Sequence, residues 1–321
     1  MRALPPAVLL GLALALAPAA ASAQAWPAKP IRIIVPYTPG GSSDIIARAI
    51  SQPLQDALKQ TVIVENKPGA NGNTGTDFVA KSAADGYTLL LCDVGALAIT
   101  PSVYARLPFD PKKDLRGVTM LAYSPHLLVV HPSVTAKSLK ELVAQSQTTK
   151  LDFAVTAIGS APHLAGVAVE KATGAKWVYI PYKGGSQAIG DTVAGQTQVL
   201  MNGMLATLPF VQSGKLKVLG VSKATRVPLL PDVPTIAEQG VAGFESGTWQ
   251  GLLAPAGTPN DVVARLSAEL TRIIRSPEIR SRLTAQGAEV YTMTPAEFAT
   301  FFEREQKRWA AVVASGGVKL D

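Results

Sequence analysis

The chain has 321 residues and a formal net charge of +7, from 30 Lys and Arg against 23 Asp and Glu. With 47% hydrophobic and 17% charged residues it has the balance of a chain folding around sizeable cores, which excludes disordered and fibrous classes. The cations are dispersed, with only Lys112-Lys113 and Arg304/Lys307/Arg308 close together. They read as solvated surface, so no nucleic acid is expected among the partners.

At the N-terminus, Arg2 precedes an apolar stretch over 3–17 and the small-residue site Ala21-Ser22-Ala23. This is the pattern of a cleaved secretory signal peptide over 1–23. The stretch is shorter than the roughly 20 residues a membrane-spanning helix needs. No Cys follows the cleavage site to carry a lipid, and the mature chain is expected to start near Gln24, in the periplasm. Cys92 is the only cysteine, so an internal disulfide is ruled out. It ends the apolar run 88–92 and is expected to be a buried, inert thiol.

Apolar, β-branched runs at 31–35, 61–65, 87–92, 127–130, 151–155, 177–180, 198–201 and 217–221 alternate with segments of helical spacing. Ile45, Ile46, Ala49, Ile50, Leu54 and Leu58 mark the first such helix, which Pro53 is expected to bend. The alternation predicts an α/β fold with largely parallel, buried strands. Three helices are expected to close the chain. Thr258-Pro259-Asn260-Asp261, Ser276-Pro277-Glu278 and Thr294-Pro295-Ala296-Glu297 each combine a capping hydroxyl, a first-turn Pro and an early acid. Arg304, Lys307 and Arg308 would come towards the end of the last helix, where cations suit its dipole. Runs 121–126 and 247–253 are the places where a strand could cross between lobes. Two crossings would put 24–124 plus 250–321 in one lobe and 125–249 in the other, with a ligand cleft between them at the carboxyl ends of the strands.

The first strand leads into Pro36-Tyr37-Thr38-Pro39-Gly40-Gly41-Ser42-Ser43-Asp44 and then into a helix. A helix N-terminus presents unpaired N–H groups and a partial positive charge. The glycines allow a ligand close to the backbone, and Ser42 or Ser43 can cap the helix. The place suits a small anion, a carboxylate or a phosphate. Thr156-Ala157-Ile158-Gly159-Ser160-Ala161-Pro162-His163 repeats that logic in the other lobe. Two such loops face to face would grip a carboxylate from both sides; each alone is more often a plain turn.

Other candidates carry alternatives. Asp93 either receives an ammonium or hydroxyl of the ligand or caps the next segment. Tyr182, with Lys183-Gly184-Gly185-Ser186, either lines the cleft or caps a helix; Asn202 either offers an amide to a polar ligand or is a solvated turn residue. Asn71, Asn73 and Thr74 among Gly69, Gly72 and Gly75 lack the spacing of a phosphate loop. Neither glycine loop matches a nucleophile elbow. His126, His131 and His163 show no metal spacing, and His131, followed by Pro132, reads as a surface turn. His163 is a helix-start or ligand-lining residue, or else the base of a pair with Ser160. No motif requires a metal or an organic cofactor.

Together with the first loop, the segments Val62–Ala70 (Val-Ile-Val-Glu-Asn-Lys-Pro-Gly-Ala), Asp85-Gly86-Tyr87-Thr88-Leu89, Ile180-Pro181-Tyr182-Lys183-Gly184, Pro231-Asp232-Val233-Pro234-Thr235, Trp249-Gln250-Gly251 and Ala254-Pro255-Ala256-Gly257-Thr258-Pro259 resemble the periplasmic solute-binding proteins of tripartite tricarboxylate transporters, the Bug or TctC family. The resemblance implies a two-lobed, Venus-flytrap fold of the type II periplasmic binding class. It also implies a ligand carboxylate held by backbone N–H groups and ordered waters of two loops, here Tyr37–Ser43 and Thr156–His163. The implied partners are a small organic acid and the membrane subunits of a transporter, with the chain a monomer and not an enzyme. Many relatives carry a small hydroxyl or amide residue where this chain has Asp93. That departure favours an amino acid, a hydroxy acid or an aromatic monocarboxylate over a plain dicarboxylate. The competing readings are an exported serine hydrolase, using Ser160 or Ser42 with His163, and a periplasmic ligand sensor for a membrane signalling partner.

Overall fold

The computed structural model describes residues 26–317. The signal peptide expected over 1–23 lies outside the described residues. In chain order the elements are β1 (Ile31–Val35), α1 (Ser42–Leu58), β2 (Val62–Asn66), α2 (Asn73–Ala80), β3 (Thr88–Asp93) and, after a π-helical turn at Gly95–Ile99, α3 (Thr100–Val103). There follow β4 (Leu115–Val130), α4 (Leu139–Ser146), β5 (Asp152–Val155), α5 (Ala161–Thr173), β6 (Val178–Pro181), α6 (Gly185–Val193), β7 (Val199–Gly203), α7 (Met204–Gln212) and β8 (Lys217–Val221). The chain closes with β9 (Gly247–Pro255), α8 (Asn260–Arg275), α9 (Pro277–Thr284), β10 (Glu289–Val290) and α10 (Pro295–Gly316).

The strands form one path, β2-β1-β3-β9-β4-β7-β5-β6, with β8 and β10 pairing to β4 beside it. β1 is parallel to β2 and β3, and β5 is parallel to β6 and β7. The expected parallel character therefore holds at each end of the sheet and fails in its middle. There β9 runs antiparallel to β3 and β4, and β4 antiparallel to β7 and β8. The reason is connectivity: the strands that carry the chain across and back run against those they join. The run 127–130 and the crossing 121–126 are parts of one 16-residue strand. That strand pairs with β9 from Leu115 to Pro125 and changes partners at His126, from which point it pairs with β7.

The apolar cores follow the same division. Ile33, Ile46, Ile50 and Leu54 pack with Leu266, Leu270 and Ile274, and Leu90 and Leu97 with Trp249 and Phe298. At the other end Leu128, Phe153, Val169 and Trp177 form one cluster, and Val129, Leu200 and Leu208 another. β4 feeds both sides, which is why nearly every residue along it is buried.

Helix boundaries test the capping motifs. Thr294 makes the full capping box with Glu297. Thr258 does not cap: α8 starts at Asn260 behind Pro259, and the Thr258 hydroxyl is buried without a partner while its carbonyl accepts Arg116 Nη1 at 2.7 Å. Ser276 likewise turns its hydroxyl back to Ile273 O, at 2.7 Å, instead of capping α9. α1 runs through Pro53 without a break. α10 continues to Gly316, so Arg304, Lys307 and Arg308 lie in its middle and its last turn holds no cation. There Arg304 covers the Phe301 ring and Arg308 pairs with Glu305.

Candidate functional site

The loops after β1, β3, β5 and β7 meet over a cavity between the two ends of the sheet, where the carboxyl ends of parallel strands place the starts of helices. Tyr37, Gly41, Ser42, Ser43, Asn71, Asp93, Gly95 and Gln250 line one side. Thr156, Ser160, Ala161, Gly185, Asn202 and Gly203 line the other. No Lys, Arg or His is among the lining residues, and Tyr37 and Asp93 are the only ionisable side chains there.

In the first loop Gly40 takes φ +84°, a left-handed conformation that disfavours any side chain, and donates its N–H to Asp44 Oδ2 at 2.8 Å. Arg48 Nε and Asn66 Nδ2 donate to the same carboxylate at 2.9 Å each. Burial would raise the Asp44 carboxyl, but these bonds outweigh it and hold the group below its usual value. With Arg48 balancing Asp44, the start of α1 keeps its positive character. Gly41 is the N-cap and no side chain caps the helix, so Ser42 and Ser43 lie inside its first turn, not ahead of it. Their N–H groups have no partner among the described residues, as expected of a first turn.

The second loop is built the same way. Gly159, at φ +76°, donates its N–H to His163 Nδ1 at 3.1 Å. Ser160 caps α5 by accepting from His163 N at 3.4 Å, and its hydroxyl donates to Ala157 O at 2.7 Å. Ala161 N, next along, is unpaired among the described residues. α6 presents a third start, at Gly185, on the same cavity.

Of the residues singled out in the sequence, Tyr37, Gly41, Ser42, Ser43, Asp93, Thr156, Ser160 and Asn202 therefore come together on one cavity. Thr38, Pro39, Gly40, Ala157, Gly159, His163 and Tyr182 do not line it. Gly40 and Gly159, expected as points of closest backbone approach, instead form the turns, and their N–H groups are taken by Asp44 and His163; the residues just after them face the cavity. Pro39 is exposed, and Thr38 places its hydroxyl 2.8 Å from that of Ser186, across the cleft mouth. Ala157 is buried behind its own loop. Tyr182 turns to Asp191 and Thr197, and burial lifts its phenol to about 12. His163 sits edge-on to Tyr179, ring centres 4.6 Å apart, and burial lowers it to about 4.

Asp93 does cap the segment after it. Its Oδ1 accepts from Gly95 N at 2.8 Å and from the Tyr37 hydroxyl at 2.6 Å. Burial raises the carboxyl to about 6 against the opposing pull of these two bonds. Tyr37 is pushed up by burial and then by the nearby Asp93, so the phenol stays protonated and donates. Cys92 is fully buried and its thiol is pushed up in the same way, an inert group as expected.

Among the lining residues that sequence reasoning missed are two buried amides, Gln250 and Asn71. Gln250 is 0% exposed, stands opposite Asp93 in the β3–β9 ladder, and finds no partner for either Nε2 or Oε1. A lone Gln in the apolar run 247–253 was the available signal. Asn71 takes φ +53° and donates Nδ2 to Thr100 Oγ1 at 3.3 Å and Gly159 O at 3.2 Å. Its Oδ1 is buried and unpaired. The glycines around it read as a failed phosphate loop, yet they bend the chain so that Asn71 enters the cleft.

A mixed α/β sheet with a separate core at each end, and a polar cavity between the ends, defines the two-lobed, type II class of periplasmic binding protein. Residues 46–318 match the model of the tripartite tricarboxylate transporter family receptor, and the chain belongs to that family. Protein BugT of Bordetella pertussis is 38% identical over 317 residues, covering 97% of each chain. Among solved structures, an R. palustris protein with adipate is 32% identical with a TM-score of 0.88, covering 92% of this chain and 99% of that one. MatC from Rhodopseudomonas palustris with bound malate is 31% identical with a TM-score of 0.85, covering 90% and 100%.

Proposed function

We propose that the protein is a periplasmic solute-binding subunit that captures a small carboxylate-containing ligand and delivers it to a tripartite tricarboxylate-type membrane transporter. The observation that carries this reading is the convergence of unpaired first-turn N–H groups, Ser42 and Ser43 from α1 and Ala161 from α5, on one cavity from opposite sides. Helix starts favour an anion by dipole and hydrogen bonds together. With no basic side chain on the wall, the carboxylate rests on backbone donors, not on an ion pair. The acids bound by the two structural relatives support the ligand class.

The working unit is the chain from Gln24, as a monomer, with 24–124 plus 250–321 as one lobe and 125–249 as the other. Ligand contacts from both lobes favour the closed form by their differential affinity, and the closed form is what the membrane subunits receive. Binding without turnover is supported by Ser160 and His163. The Ser160 hydroxyl donates to Ala157 O, and His163 Nδ1 is occupied by Gly159 N–H, so the two form no nucleophile–base pair. A thermal-denaturation screen of the mature chain against mono- and dicarboxylates and their neutral amides tests the reading. An acid at ~100 times its dissociation constant adds about 2.7 kcal/mol of stability, and the amides add nothing. Amides that stabilise as well as the acids, or consumption of any panel compound, would refute it.

A further inference from the structure

The wall contributed by β3, β9 and the Asn71 turn carries a set of polar atoms that the fold leaves without partners. Gln250, fully buried, has neither amide atom bonded, and Asn71, 5% exposed, has Oδ1 unpaired. The Asn71 amide is oriented by its contact with Gly159 O, which can only accept, so the atom left over is the oxygen. Asp93 uses Oδ1 for Tyr37 and Gly95, and no described residue bonds its Oδ2. The three residues are neighbours. Asp93 and Gln250 are directly paired across the β3–β9 ladder, so their side chains share a face. Above Gly95, the position of a Cβ would stand 3.0 Å from Asp93 Oδ1 and 3.3 Å from Asn71 Oδ1.

Three free acceptors thus gather on one wall: Asp93 Oδ2, Asn71 Oδ1 and Gln250 Oε1. The helix starts meet the ligand carboxylate, but the acceptors on this wall, the Asp93 carboxylate among them, still need donors and a positive counterpart. A primary ammonium brings one positive charge and three N–H donors. A second carboxylate brings neither and would face Asp93 across a wall without cations.

We propose that the cleft is specific for a zwitterionic amino carboxylate: its carboxylate lies at the α1 and α5 starts and its ammonium lies on Asp93, Asn71 and Gln250. This assignment rests on the carboxylate-binding reading above and narrows it to one chemical class. It also gives the ionised form of Asp93 a role.

Isothermal titration of the mature protein with matched pairs tests it: alanine and propionate, aspartate and succinate, glutamate and glutarate, phenylalanine and 3-phenylpropionate, with N-acetylated amino acids as charge-removed controls. A site built to bond an amino group rejects the analogue lacking it by orders of magnitude. The expected result is at least one amino acid binding 100-fold or more tighter than its deaminated and N-acetylated partners. In Asp93→Asn that ratio collapses towards one while the deaminated acids bind as well or better. Deaminated acids binding as tightly as their amino partners in the wild type would overturn the ammonium site and leave the carboxylate reading standing. A wild-type ratio retained in Asp93→Asn would overturn the role of Asp93. Failure of every compound in both series would remove the carboxylate reading as well. If circular dichroism shows Asp93→Asn unfolded, the wild-type ratios alone decide.

Discussion

Asp93 shows how a buried carboxyl, here the proposed ammonium partner, costs the resting fold. Its carboxyl is lifted from 3.8 to about 6 by burial, so the folded protein holds a proton more tightly there than the unfolded chain does. For an acid shifted upward, the destabilising contribution is absent at low pH, grows as pH rises from about 4 to 6, and is complete above that window. Tyr37 and Cys92, which touch it, stay protonated throughout because both are pushed upward. Asp93→Asn keeps an acceptor for Tyr37 and Gly95 and removes the charge. The ligand-free variant is therefore expected to be more stable than wild type at pH 7.5, by up to about 3 kcal/mol. That advantage is expected to shrink to near zero at pH 4. Urea denaturation of both proteins across pH 4–8 measures it, and a constant difference would show that the carboxyl does not titrate in this window. His126 and His163 have the opposite sign. Burial lowers them to about 3 and about 4, so both proteins lose stability as pH falls below the ordinary histidine range, and the difference between variants isolates Asp93.

Elements whose signal is local were legible; those set by tertiary contacts were not. Thr258-Pro259-Asn260-Asp261 and Thr294-Pro295-Ala296-Glu297 read alike, yet only the second caps. Thr294 Oγ1 accepts from Glu297 N at 3.3 Å and Glu297 returns the bond, accepting from Thr294 N at 2.8 Å. At the first site the Thr258 N–H closes a turn onto Pro255 O and the carbonyl goes to Arg116, contacts invisible in four consecutive letters. Thr294→Ala is therefore expected to destabilise by about 1 kcal/mol. Thr258→Ala, which deletes a buried hydroxyl lacking a partner, is expected to be neutral or slightly stabilising. Denaturant midpoints separate the two, and equal losses would contradict the difference in capping. The site divides the same way. Strand, glycine turn and helix start are contiguous in sequence, and the structure sets Ser42, Ser43, Thr156 and Ser160 on one cavity. Gln250 reaches that cavity only through its pairing with Asp93, and Asn71 only through four positive-φ residues in succession, Gly69 to Gly72.

At the scale of the whole molecule, the contacts between the two proposed lobes beside the cavity should govern closure. Thr38 meets Ser186 through their hydroxyls, and Asn71 Nδ2 reaches Gly159 O. Gly184 lies against Thr38 so closely that a Cβ there would collide with the Thr38 hydroxyl and stand 2.8 Å from its backbone nitrogen. Its φ of 168° is ordinary extended backbone, so alanine introduces no strain within its own lobe. Gly184→Ala is thus a wedge that acts only when the lobes come together. Apparent affinity falls by the fraction of molecules able to adopt the binding-competent form. A tenfold or greater loss of carboxylate affinity is expected, with the melting temperature of the ligand-free protein unchanged within about 2 °C, since lobe cores are untouched. Small-angle scattering should show the wild type becoming more compact on adding ligand and the variant failing to do so. Full affinity in Gly184→Ala would mean that the ligand is held in an arrangement of the lobes other than the one in which Thr38 and Gly184 meet.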